Sequence, residues 1–165
     1  MMKYTEKLEI ALENLQGKGA FLTVKDGEKV NTMTIGWGQM GYMWKKPIFM
    51  VMVRKSRHTY NLMEKATEFT VSIPVDDSMK NELIFCGTKS GRDFDKIKEC
   101  NLKLEKGKTV DTPLISGCKL QYECKILYKH EMDKSMLDKE IDEKVYSDND
   151  YHVLYYGEIL DCYEL

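Results

Sequence analysis

The sequence predicts a mainly β fold with helices at its periphery. Six stretches rich in β-branched and aromatic residues, 20–24, 33–37, 48–53, 69–73, 116–128 and 152–163, lie between turn-forming residues. Two of them, 48–53 and 152–163, are apolar or aromatic on both faces, which places them inside a sheet or at a subunit interface. Helical periodicity, by contrast, is confined to short runs.

Taken in order, apolar side chains at 4, 8, 11, 12 and 15 predict a first helix over 4–15, stopped by Gly17 and Gly19. Strand 20–24 is followed by the turn signal Asp26-Gly27. Strands 33–37 and 48–53 come next, and Ser56 is placed to cap a helix over 57–66. Strand 69–73 closes at Pro74. Asp76, Asp77 or Ser78 caps a short helix through Cys86, with Gly87 as its stop. A loop over 87–92 leads to a helical turn at 93–98 and a weak strand near 102–104, before the strong strands 116–128 and 152–163. Between those two, residues 129–150 are densely charged. Met136, Leu137, Ile141 and Val145 form a modest apolar stripe there, so this segment reads as an insertion carrying a short surface helix within one domain spanning 1–165.

Composition narrows the function classes. Of the 165 residues, 42% are hydrophobic and 32% charged, and the net charge is −2, which disfavours a general nucleic-acid surface. No apolar run approaches the roughly 20 residues of a membrane helix. The amphipathic, charged start of the chain is unlike a signal peptide, so the expected location is cytoplasmic. The five cysteines form no CxxC pair and no metal-like run with histidine, which suits free thiols and no metal site.

Residues 31–60 carry the chemistry. Gly36, Gly38 and Gly41 have the GxGxxG spacing of a dinucleotide turn, which requires a helix to open within the motif. Pro47 follows too soon for that helix, and the next strand arrives without room for a crossover. These glycines instead fit a tight strand exit. The second candidate is the basic segment that follows 48–53. Arg54, Ser56, Arg57 and Thr59 bracket an expected helix start, where backbone N–H groups, hydroxyls and guanidinium groups suit a phosphate. No Ser-His-Asp or Cys-His arrangement suggests nucleophilic catalysis.

The segments 31–38, 46–47, 53–60, 69–74, 86–96, His152 and 156–159 together resemble the flavin reductase-like FMN-binding split-barrel family, closest to its flavoredoxin-like branch. The resemblance covers most of the chain from about residue 19 onward. It implies a six-stranded, Greek-key-like split β-barrel and a homodimer with FMN near the subunit interface. By analogy, Asn31, Thr32, Met33 and Thr34 line the flavin along one strand and Trp37 lies near its ring. Arg54, Ser56, Arg57 and Thr59 match the phosphate side, and Lys89, Ser90 and Lys96 a second flavin-side loop. His152 is the catalytic candidate. The chain departs from the family at Asn149-Asp150-Tyr151-His152, where relatives often carry Gly-Asp-His. The implied activity is flavin reduction by NADH or NADPH as transient donor, with electrons passed to a downstream acceptor. The alternative is a flavoredoxin-like FMN electron carrier, exchanging electrons with a redox partner protein and showing little direct NAD(P)H activity.

Overall fold

The computed structural model describes residues 2–165. Helix α1 spans Leu8–Gly17 and buries Ala11 and Leu15. It starts later than the apolar stripe suggests because Lys7 adopts φ 63, a left-handed conformation that cannot continue a helix toward residue 4. Its end is sealed where Lys18 N–H and Gly19 N–H both donate to Asn14 O. Gly19, at φ +89, then turns the chain into the sheet.

Strands β1 (Ala20–Asp26) and β2 (Lys29–Ile35) form a hairpin, as do β3 (Gly38–Met43) and β4 (Lys46–Arg54). The GxGxxG stretch therefore ends in an extended strand, and no helix opens within it. After β4 come α2 (His58–Met63), β5 (Glu68–Ile73), α3 (Lys80–Thr88) and α4 (Lys96–Glu99). A small ribbon of β6 (Leu104–Glu105) and β7 (Leu114–Ile115) precedes β8 (Leu120–Glu131). The charged insertion holds a 3-10 turn, Lys134–Met136, and helix α5 (Lys139–Val145), before β9 (His152–Glu164) ends the fold.

Seven strands form one antiparallel sheet in the order β2-β1-β5-β8-β9-β4-β3. The expected mainly β class with peripheral helices holds, with seven main strands where six were expected and the two-stranded ribbon beside them. Strands β4 and β9 are internal, each with two neighbours, which explains their apolar character on both faces. The main core collects Leu22, Met33, Phe49, Val51, Val53, Phe69, Tyr122 and Tyr155. Side chains alternate along β1, so Phe21 points the other way. There it packs with Leu83, Cys86, Leu102, Ile115 and Cys118.

Three expected caps are not used. Ser56 makes no cap bond to α2, whose N-terminal flank is Arg57 and which ends at Met63, short of residue 66. Nor do Asp76, Asp77 or Ser78 cap α3; Asp76 accepts from the Ser78 backbone N–H in a local turn instead. Gly87 lies inside α3 rather than beyond it, and its bare Cα packs against Thr34, where a Cβ would stand 3.2 Å from the threonine Cβ.

Candidate functional site

The end of β2, the end of β4, the entrance to α2 and the start of β9 meet at one corner of the sheet. Pairing between β4 and β9 sets Arg54 opposite His152. A cleft of about 190 Å³ opens there, lined by Met33, Thr34, Ile35, Trp37, Met52 and His152, with Arg54 and Arg57 at its polar end. A second cleft of about 150 Å³ shares Met33 and Arg57 with the first and is lined by Ser56, Thr59, Lys89, Ser90, Arg92 and Lys96. The two form one bent depression with an aromatic, thioether-rich arm and a cationic arm.

The cationic arm is short of counter-charge. Arg57, Lys89, Arg92 and Lys96 form no ion pair among the described residues. Arg57 donates to Gly87 O at 3.0 Å and Arg92 to Ser56 O at 2.9 Å. Lys96 is 4% exposed and donates only to Cys86 O at 3.0 Å, and burial holds its pKa below the usual lysine value. Gly91 closes the loop tightly, since a Cβ there would fall 2.3 Å from Asn31 Oδ1 and 2.7 Å from His58 Cδ2. Burial, followed by the Arg92, Lys96 and Lys29 charges, also lowers the His58 pKa, and its Nδ1 is buried without a partner.

Of the residues expected at the site, Met33, Thr34, Trp37, Arg54, Arg57 and His152 line the first arm, and Ser56, Arg57, Thr59, Lys89, Ser90 and Lys96 the second. Asn31 supports the site by donating from Nδ2 to Thr59 Oγ1 at 2.8 Å, which leaves the threonine proton free for a ligand. Thr32 contributes no side-chain lining to either arm. Its hydroxyl instead meets Thr23 Oγ1 at 3.1 Å and Leu22 O at 3.2 Å.

Arg54 and Ser56 are already engaged by the chain itself. The Arg54 guanidinium donates to Asp150 O and Val145 O, both at 3.0 Å, and lies over the Tyr146 ring at 5.1 Å. Ser56 gives its backbone N–H and its hydroxyl to the Asp150 carboxylate. The insertion thus folds onto the site, where the sequence suggested a solvated surface. Met52, Arg92 and Tyr146 are site residues that the sequence reading did not single out. Met52 sits in a predicted strand and Arg92 in the loop quoted for the resemblance, so both were within reach. Tyr146, which bonds His152 Nδ1 at 2.7 Å, had no such signal. Burial, then Arg54, pushes the His152 pKa down to about 4, with Asp150 opposing and Arg57 adding to the fall.

Among the described residues no group of three or more His, Cys, Asp or Glu is arranged to hold a metal ion, and no helix is long and apolar enough to cross a membrane. Comparison with known proteins agrees with the fold. An uncharacterized protein of Archaeoglobus fulgidus is 30% identical over 116 residues, which cover 70% of this chain and 64% of the relative's length. An FMN-binding protein from Thermus thermophilus, crystallised with bound 1-cyclohex-2-enone, superposes with a TM-score of 0.70 at 26% identity, over 90% of this chain and 70% of that one. Flavoredoxin from Methanosarcina acetivorans superposes at 0.71 with 23% identity, over 90% and 68% of the two chains. The family described as Flavin reductase like domain matches residues 14–165. With nearly its whole length matched, the chain belongs to the flavin reductase-like domain family.

Proposed function

We propose that this chain is an FMN-binding oxidoreductase that accepts reducing equivalents from NADH or NADPH and passes electrons to a downstream acceptor. The observation that carries the reading is the bent cleft, whose cationic arm holds Arg57, Lys89, Arg92 and Lys96 without a carboxylate partner among the described residues. Keeping a buried ammonium on one carbonyl costs on the order of several kcal/mol. A phosphate dianion offsets such a cost through charge-assisted hydrogen bonds from guanidinium, ammonium and the Thr59 hydroxyl. The other arm supplies Trp37, Met33 and Met52 as polarizable walls for a fused aromatic ring. The donor set therefore fits FMN, the ligand named for the Thermus thermophilus relative.

Bound there, FMN would supply hydride and single-electron chemistry. The chain's own residues hold the phosphate, stack against the ring and present His152 beside it. Half-exposed Trp37 stands at the solvent side of the first arm, where a nicotinamide donor would approach in this reading.

Titration with FMN and with riboflavin tests the phosphate assignment. FMN is expected to bind at least about a hundredfold more tightly, the worth of two charge-assisted hydrogen bonds. Arg57→Gln combined with Arg92→Gln should remove most of that preference, lowering FMN affinity far more than riboflavin affinity. Equal affinities in the unaltered protein would overturn the assignment. Anaerobic mixing with NADH or NADPH should bleach the flavin absorbance. Retention of FMN without reduction by either donor would assign the flavoredoxin-like carrier role instead.

A further inference from the structure

One buried side chain of the charged insertion reaches His152. Tyr146 is 3% exposed, and its hydroxyl lies 2.7 Å from His152 Nδ1, with the two rings nearly perpendicular at 85°. The hydroxyl has one other neighbour, Met132 Sδ at 3.3 Å. A phenol has a single proton to give, and a thioether is a weak acceptor beside an imidazole nitrogen. Of the two, the imidazole nitrogen is the stronger acceptor for that proton. An imidazole that accepts at Nδ1 carries its own proton on Nε2. His152 Nε2 has no protein partner among the described residues, and the ring lines the cleft 5.5 Å from the Trp37 ring.

We propose that Tyr146 is a positioning residue that holds His152 in the tautomer with its proton on Nε2, so that His152 offers a permanent hydrogen-bond donor to a carbonyl oxygen or ring nitrogen in the cleft. The insertion is built to deliver this contact. Tyr146 stacks on Tyr151 at 4.9 Å, and the Arg54 guanidinium covers its ring. Tyr151 donates to Asp142 of α5, and Arg54 ties Val145 and Asp150 to the end of β4. The charged groups facing His152 support the same state. Burial, Arg54 from β4 and Arg57 from the α2 entrance disfavour the imidazolium, with only Asp150 opposing. Burial also raises the Tyr146 pKa, which keeps its hydroxyl protonated. His152 is then a fixed donor between about pH 5 and 8, not a titrating acid or base. The segment at 129–150 thus acts on His152 through Tyr146, beside its contacts with Arg54 and Ser56.

The tautomer does not depend on the flavin reading, whereas the use of the donor toward a flavin rests on it. Long-range proton–nitrogen NMR on full-length protein labelled at its three histidines tests the tautomer without ligand, with His152 identified by the signals lost in His152→Gln. The expected result is an Nε2–H pattern that does not titrate between about pH 8 and 5. An Nδ1–H pattern, or a cationic ring at neutral pH, would overturn the proposal. Met132→Leu removes the competing sulfur and should leave the pattern intact; a changed tautomer would show that the hydroxyl proton was shared. Tyr146→Phe should let His152 titrate closer to its ordinary value and weaken FMN binding about three- to tenfold, the worth of one neutral hydrogen bond. An unchanged His152 titration in that variant would remove Tyr146 from the role. Unchanged FMN affinity with an altered titration would refute the donor's contact with flavin. If the unaltered protein shows the expected NMR pattern but binds no FMN, the functional reading falls and the tautomer assignment stands.

Discussion

Lys96 places an ammonium group at 4% exposure with one carbonyl for company, an arrangement that costs the unliganded fold. The cost is intelligible if the charge is kept for a ligand. Replacing it with methionine keeps most of the apolar stem and removes the charge. Lys96→Met is therefore expected to raise the melting temperature of the ligand-free protein, by about 1–3 kcal/mol of stability, while lowering FMN affinity at least about tenfold. Thermal melts and flavin titration of the same preparation check both halves, and a variant that loses stability and keeps its affinity would show that Lys96 is structural. Legibility at this scale was uneven. Lys96, Arg57 and Thr59 could be reached because they fall in motif-like segments. Thr32 could not be assigned a face until the pairing of Thr23 with Thr32 was known. Tyr146 looked like any aromatic in a charged stretch, and its packing against His152 depends on how the insertion folds back.

Among the elements, β8 shows how a buried carboxylate can organise a loop. Glu123 is fully buried and accepts from the backbone N–H groups of Lys108, Thr109 and Val110, from the Thr109 hydroxyl and from Tyr163. Burial alone would raise its pKa, but the Lys108 and Thr109 hydrogen bonds outweigh that and hold it below the ordinary glutamate value. The folded state thus binds the proton less readily than the unfolded chain. The stabilisation is full above the unfolded value of about 4.3 and is lost as pH falls through the folded one. Glu123→Gln should cost about 2–3 kcal/mol at neutral pH and flatten this part of the acid limb. Urea melts at neutral and acid pH measure the difference, and an equal loss at both would refute the linkage. The strands themselves were largely legible, because alternation and β-branched residues mark them directly. Helix boundaries were less so. Ser56, an attractive cap by type, is captured by Asp150, ninety-four residues away in sequence. Glycines at 36, 38 and 41 matched a helical motif by spacing, and only Pro47 and the strand behind it exposed the mismatch.

For the whole molecule, strand order was hidden from the sequence, since β1–β5 and β4–β9 pairings join segments far apart in the chain. What the sequence did suggest is that the strands apolar on both faces serve either a core or a subunit contact. Both β4 and β9 are internal to the sheet, and beyond them a face rich in exposed aromatics remains. Trp44 and Lys45, at the tip of the β3–β4 hairpin, adopt φ 53 and 58, a conformation that costs a non-glycine residue on the order of 1 kcal/mol each. The turn holds Trp44 edge-on to Tyr128 at 6.1 Å and Tyr156 at 6.2 Å, yet leaves the indole 53% exposed beside exposed Tyr42. We propose that a second copy of the chain covers this face, forming a homodimer with the aromatic cluster at its centre, where buried Trp and Tyr contribute most. Sedimentation velocity should then show a dimer at micromolar concentration. Trp44→Glu would place an unpaired charge at the contact and should shift the protein to monomer without unfolding it, since the indole is already 53% exposed in the single chain. A monomeric unaltered protein, or a dimer indifferent to Trp44→Glu, would remove this face from the assembly.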